Sequence, residues 1–202
     1  MSAPISGYIR SRRLFLRLTS IAVLIFTTGA AFSVHAAALR DDGIHFQPWI
    51  KISFLDMAED AKEAATKGKG FVVLYEQPGC GSCKKLHEKN FSDKSLVDFI
   101  TKNFDVVQIN LFGDNEVTDF SGNVMSESAF AEKMKISFTP TTAFYAPDGT
   151  ELFRQPGYFS PNFYKNGFKY VMDKGPEKGI SYPRWNQMKR QERIAKEAEK
   201  KS

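Results

Sequence analysis

Two cysteines occur in the 202 residues, and the pair forms a single short motif, Cys80-Gly81-Ser82-Cys83. Its setting constrains the fold more than any other feature. The apolar, β-favouring residues Phe71-Val-Val-Leu-Tyr75 precede it, Gln77-Pro78-Gly79 breaks that run, and a helical pattern begins at Cys80 and continues toward Phe91. A continuous apolar run of this kind reads as a strand buried on both faces. The cysteines therefore sit where a buried strand gives way to a helix. A sulfur in the first helical turn faces unpaired backbone N–H groups and the positive end of the helix dipole. Both favour thiolate over thiol, which makes Cys80 the candidate nucleophile. Cys83, one turn further in, is close enough to close a ring with Cys80 and is the candidate resolving thiol.

Three other uses compete for the same pair. A structural metal site commonly needs four ligands. Cys80, Cys83 and His87 share a helical face at i, i+3 and i+7, so a three-ligand copper or zinc site stays open beside the redox reading. A c-type haem requires His directly after the second cysteine, and Lys84 stands there. A purely structural disulfide closing so short a loop restrains the unfolded chain little. His87 reads as half-exposed beside the cysteines.

Around this centre the pattern predicts alternating elements. Residues 39–54 form an irregular lead-in, and residues 55–65, rich in Ala and Glu, a helix stopped by Gly68 and Gly70. A further helix covers residues 94–102, a strand follows at 104–111, and 113–124 reads as a polar loop. Ser126, Ala129, Phe130, Met134 and Ile136 mark a helix with an apolar face. Pro147-Asp148-Gly149 is a turn between strands at 141–145 and 151–154. Ser160-Pro161 opens a last helix running to Val171, with Ser at the cap and Pro in the first turn. Crossover helices between the first strands imply parallel pairing, and the hairpin adds antiparallel strands, so the fold class is α/β with a mixed sheet.

Charge says where the chain goes rather than what it binds. The formal net charge is +5, from 28 basic and 23 acidic residues. Arg10, Arg12, Arg13 and Arg17 precede the apolar stretch at residues 21–32, and small residues follow at Ala36, Ala37 and Ala38. This is the pattern of an export signal, with cleavage near Ala36–Ala38; an uncleaved anchor is the other reading of the same run. Ser11-Arg12-Arg13-Leu14-Phe15-Leu16-Arg17 resembles a twin-arginine signal and also suits an ordinary secretory one. From Arg184 onward the chain carries seven more basic residues and three acidic ones, with Glu192/Lys196 and Glu197/Lys201 spaced for a solvated helix. The body between Leu39 and Pro183 then holds 17 basic and 20 acidic residues. No basic face remains to bind a phosphate backbone, and nucleic acid is excluded as the main partner. The expected division is residues 1–38 as signal, 39–175 as the working domain and 176–202 as a charged tail.

The segment Leu74-Tyr75-Glu76-Gln77-Pro78-Gly79-Cys80-Gly81-Ser82-Cys83-Lys84 resembles the strand, active site and helix of thioredoxins. Phe138-Thr139-Pro140-Thr141 is similar to the segment in which thioredoxins carry a cis-proline ahead of a strand. The continuation into Asn90-Phe91-Ser92-Asp93 resembles the C-terminal domain of the transmembrane reductant carrier DsbD. Asn110-Leu111-Phe112-Gly113 through Val117-Thr118-Asp119-Phe120 is similar to an insertion in SoxW-type thioredoxins of periplasmic sulfur-oxidation systems. The resemblance spans roughly residues 49–172 and implies a thioredoxin fold. It also implies a cis bond before Pro140, with Pro140 facing the sulfurs where, lacking an N–H, it excludes an extra ligand. Thr139 would offer backbone to a substrate peptide as an added strand, beside Gly81 and Ser82.

Two departures qualify that likeness. Where thioredoxins bury an Asp, as proton acceptor for the resolving thiol, this chain has Leu74. Glu76 lies two residues later, hence on the same strand face, and is the candidate substitute base; the other reading is a solvated strand-end carboxylate. Gly81-Ser82 replaces Gly-Pro and leaves the helix start less constrained. The resemblance thus implies a periplasmic, monomeric thiol–disulfide oxidoreductase of the protein-disulfide reductase type. It would need no cofactor, act on a protein thiol or disulfide, and draw electrons from a membrane thiol carrier. A disulfide oxidase or isomerase is the alternative within that chemistry. A copper or zinc metallochaperone using Cys80, Cys83 and His87 is the alternative outside it.

Overall fold

The computed structural model describes residues 38–200, so the expected export signal lies, but for Ala38, outside the described residues. The described chain begins with a small hairpin, β1 (Ala38–Leu39) against β2 (His45–Phe46), inside the stretch that composition presents as irregular. Two-residue strands carry no alternation that a sequence can show. What closes this hairpin is its turn: Arg40 N–H bonds to the Ile44 carbonyl, Gly43 takes a φ of +82°, and the Ile44 side chain is buried.

α1 (Met57–Thr66) starts at Asp56, whose carboxylate accepts the Glu59 N–H at 2.9 Å and so satisfies one of the donors a helix start leaves unpaired. β3 (Gly70–Glu76) follows, then α2 (Gly81–Lys85), a π-helical turn (Leu86–Asn90) and α3 (Lys94–Asn103). β4 (Phe104–Asn110) returns parallel to β3, in register from Gly70 opposite Phe104 to Glu76 opposite Asn110. After β5 (Glu116–Thr118), β6 (Val124–Ser126) and α4 (Glu127–Lys133), β7 (Thr141–Tyr145) and β8 (Glu151–Pro156) form the hairpin around Pro147-Asp148-Gly149. α5 (Pro161–Met172) and α6 (Tyr182–Glu199) complete the chain. The sheet order is β4-β3-β7-β8, with β7 antiparallel to both neighbours. This is the mixed sheet flanked by helices expected from the sequence.

Period-2 alternation along β3 sends its side chains into two separate cores. Phe71, Val73 and Tyr75 pack with Met57, Ala61, Ala64 and Phe130, on the α1 and α4 side. Val72 and Leu74 pack with Leu86, Leu96, Ile100, Tyr164 and Phe168, on the side of the cysteine-bearing helix, α3 and α5. Each such buried side chain contributes about 1.5–3 kcal/mol, so β3 is held rigidly from both faces. Its C-terminal end is where the cysteines begin.

Three departures from the sequence expectation have local causes. The stretch at 113–124 is not a plain loop: β5 pairs with β6, and Val117 enters the first core. Asp119 fixes the turn between them by accepting the N–H groups of Ser121 and Asn123, at 2.7 and 2.9 Å, and by pairing with Lys133. The helix beginning after Cys80 does not run evenly to Phe91 but widens into the π turn. The tail helix, finally, is not wholly solvated. Trp185 is 3% exposed, packs against Tyr170 and donates its indole N–H to Asp173 at 3.0 Å, which docks the start of α6 on α5.

Candidate active site

β3 delivers the chain to Gln77-Pro78-Gly79, and Gly79, at φ +72°, makes the sharp turn into α2. Cys80 is the cap of that helix: the Cys83 N–H points at Cys80 Sγ from 3.0 Å. The two cysteines are joined in a disulfide. Cys80 is partly exposed and Cys83 is 0% exposed, so one sulfur is open to another protein and its partner is shielded beneath it. That asymmetry suits the roles of attacking and resolving thiol.

The Thr139–Pro140 peptide bond is cis. It stands just before β7, whose first residue, Thr141, is opposite Tyr75 at the end of β3, and this register carries the Pro140 loop up to the cysteines. The Thr139 hydroxyl donates to Cys80 Sγ at 3.4 Å. Pro140 is buried, Thr139 is partly exposed, and Gly81 and Ser82 are exposed beside Cys80. Phe138 adds an apolar side chain that is 68% exposed at the same edge. The sequence-nominated residues Cys80, Cys83, Gly81, Ser82, Thr139 and Pro140 thus converge on one site, with Cys83 and Pro140 beneath its surface. A cavity of about 850 Å³ lies elsewhere, between α5 and α6, lined by Lys169, Trp185, Arg190 and Arg193 among others.

Glu76 is 0% exposed, which sets aside the solvated strand-end reading and suits the candidate base, whereas His87 departs from its sequence expectation: it is 1% exposed, not half-exposed. Glu76 does share the face of Val72 and Leu74, as alternation requires. His87 Nε2 lies 3.1 Å from both of its carboxylate oxygens. The Gln108 amide donates to Glu76 Oε2, and the Gln47 amide donates to His87 Nδ1 at 3.3 Å. His87 turns inward because it lies one turn beyond buried Cys83 and beside buried Leu86, on the face that packs on the sheet, within the π turn closed by the Phe91 N–H on the Leu86 carbonyl at 3.1 Å. Both imidazole nitrogens are thereby occupied. Among the described residues no three His, Cys, Asp or Glu side chains are grouped to hold a metal ion, so the Cys80, Cys83 and His87 ligand set is not assembled.

Sequence reasoning missed Gln108, Gln47 and the role of the lead-in. One signal for Gln108 existed: it is a lone amide inside the apolar run of β4, opposite Leu74. Its Nε2 also donates to the His45 carbonyl at 2.7 Å, and the Gly43 turn lies against Pro78. Residues 38–50 therefore form one wall of the site. Nearby, Glu127 accepts the Asn110 N–H at 2.9 Å and the Asn115 amide at 2.8 Å; burial pushes its carboxyl up against those bonds. Burial likewise raises the phenols of Tyr75 and Tyr145, which share a 3.0 Å hydrogen bond and stay protonated at ordinary pH.

A reactive cysteine pair mounted on a helix cap, with a cis-proline across from it, is the working part of thiol–disulfide oxidoreductases built on the thioredoxin fold. The model of the thioredoxin-like domain family matches residues 57–171, over half of the chain, and the chain belongs to that family. Solved structures similar to it include a thioredoxin of Thermus thermophilus, at 18% identity and a TM-score of 0.49, covering 61% of this chain and 89% of that one. A thioredoxin-fold protein of Helicobacter pylori is 20% identical over 61% of this chain and 84% of its own, with a TM-score of 0.45. The C-terminal domain of Neisseria meningitidis DsbD, in its oxidised form, is 12% identical over 55% and 89%, with a TM-score of 0.41. None of the curated proteins matches the chain.

Proposed function

We propose that this chain is a periplasmic protein-disulfide reductase. The observation that carries the reading is the Cys80–Cys83 disulfide, with an open outer sulfur capping α2 and a buried inner one. In the reduced protein, Cys80 thiolate attacks a substrate disulfide and forms a mixed disulfide, and one substrate sulfur leaves as a thiol after taking a proton. Cys83 then displaces the second. The N–H of Cys83 and the Thr139 hydroxyl, both aimed at Cys80 Sγ, favour its charged form. Gly81, Ser82, Thr139 and exposed Phe138 supply the contact surface, with Pro140 closing the approach to the sulfurs. The export signal pattern at residues 1–38 supports the periplasmic address. The likeness to DsbD and SoxW-type segments supports a membrane thiol carrier as electron donor, sulfur oxidation as the setting and a monomeric working form.

Two experiments test this. Equilibration with glutathione gives the potential of the cysteine pair: a value near the thioredoxin end, about −270 mV, supports reduction, and one near about −120 mV makes the protein an oxidase instead. Expressing Cys83→Ser in the periplasm stalls the reaction at the mixed disulfide. Recovery of a disulfide-linked protein, lost on adding Cys80→Ser, is the expected result; no adduct with any protein contradicts the reading.

A further inference from the structure

The buried pair Glu76–His87 is unlike anything else among the described ion pairs: both side chains are 0% exposed. It flanks the redox pair along the chain: His87 follows Cys83 by four residues on the same helical stretch, and Glu76 ends the strand that feeds Cys80. A buried carboxylate is tolerated only when donors satisfy it. Glu76 has two, the imidazole Nε2 and the Gln108 amide. The donor pattern also assigns the imidazole proton. Nδ1 accepts from Gln47, so the ring hydrogen belongs on Nε2, where it faces Glu76. Gln47 stands on the lead-in, outside the matched family region of residues 57–171.

We infer that His87 is a positioning residue for the resolving step: with its tautomer fixed by Gln47, it orients Glu76 to take the proton from Cys83. The inference rests on the thiol–disulfide reading above. In the step, the Cys83 S–H proton passes to the Glu76 carboxylate and the Cys83 thiolate attacks Cys80 Sγ of the mixed disulfide. The Cys80–Cys83 bond forms as the Cys80–substrate bond breaks. The electron pair leaves with the substrate sulfur, which is protonated, while Glu76 returns its proton to solvent. The protein dithiol loses two electrons and the substrate disulfide gains them. The groups facing this centre are Glu76 from β3, His45 from the lead-in with its ring 5.3 Å from that of His87, Phe91 at the end of the π turn, and Tyr164 from α5, which packs on Phe91. His45 brings the second imidazole of this centre, so His45→Gln serves as the control for the lead-in.

The two half-reactions separate this proposal from the one it rests on. Mixed-disulfide formation is followed in the Cys83→Ser background, and resolution by rapid mixing of the full dithiol with a fluorescent peptide disulfide, from pH 5 to 9. Glu76→Gln should slow resolution about ten-fold or more, with formation unchanged. His87→Leu should slow resolution about five-fold and move its pH profile upward, because the carboxylate loses a donor that favours its charged form. His87→Gln, which keeps an N–H, should recover most of the rate. Gln47→Leu, at a half-buried position outside the four-stranded sheet, should shift the profile in the same direction but less. Resolution profiles of His87→Leu and Gln47→Leu that superimpose on the parent would overturn the inference, and so would His45→Gln reproducing their shift. Absence of any mixed disulfide in the Cys83→Ser background would instead overturn the thiol–disulfide reading.

Discussion

Trp185→Ala should detach most of α6 while leaving the rest of the domain folded. Trp185 is the one buried side chain of that 18-residue helix. Its ring packs against Tyr170 and Tyr182, and its N–H is taken by Asp173. Burying a Trp removes about 150–250 Å² from water, worth about 4–6 kcal/mol at 25 cal/mol per Å². The open cleft beside it lets water refill the site, so the loss on truncation belongs near the lower end of the usual range, about 3 kcal/mol. What remains to hold the helix is smaller. The Asn166–Asn186 hydrogen bond is worth about 1 kcal/mol, and the exposed Lys189–Asp173 pair less. Spaced Glu–Lys pairs along the free part add a few tenths each, too little for a helix of this length to persist alone. Tyr182 stays anchored on Phe153. Hydrogen exchange read by mass spectrometry should therefore show amides beyond Asn186 exchanging at near-unprotected rates, with β3 and β7 as protected as before and disulfide exchange unaltered. Retained protection along α6 would refute the reasoning, because the indole would then not be what docks it. Parallel loss in the sheet would refute it from the other side, by making α6 part of the cooperative core.

Two further outcomes follow from buried carboxylates. Gly113→Ala places a Cβ against Glu127 Oε2 with no room for both, so the carboxylate must shift off its Asn110 and Asn115 partners, and the urea midpoint should fall by the equivalent of about 2–3 kcal/mol; no change would mean that Glu127 moves freely. Burial acts to raise the Asp119 carboxyl, but bonds from Lys133, Asn123 and Ser121 outweigh it and hold the group below the usual carboxylate range. A depressed carboxyl lends stability above its unfolded value, about 3.9, and loses it as pH falls toward the folded one. Stability to urea should therefore drop below pH 4 in the parent and drop less steeply in Asp119→Asn; parallel curves would contradict this.

Features governed by neighbours along the chain were readable in advance. The apolar run into Cys80 announces β3, Pro147-Asp148-Gly149 the β7–β8 turn, and Ser160-Pro161 the start of α5, because each depends on residues a few positions apart. The placement of the cysteines was legible for the same reason: a helix cap is a local structure. Features that depend on partners far away were not. Glu76 is satisfied by Gln108 and His87, and His87 by Gln47, at separations of 11 to 40 residues. Without those partners the Glu76 base could be nominated only from strand alternation, and a helical His reads as half-exposed. The π turn has no residue signature of its own, and β5 and β6 are too short for alternation to register. Trp185 stood in a charged tail whose spacing matched a solvated helix, and only the aromatic surface of α5 and β8 gives it somewhere to go.

The central claim is that Cys80 and Cys83 cycle between dithiol and disulfide while passing two electrons to another protein. The most direct measurement mixes the reduced protein with an excess of a disulfide-containing protein and counts thiols on both by alkylation and intact mass. Each molecule should lose two thiols, form the Cys80–Cys83 bond and generate two thiols on its partner, and Cys80→Ser should do neither. Reduction of the partner that persists in Cys80→Ser, or a parent protein that keeps both thiols, would contradict the account.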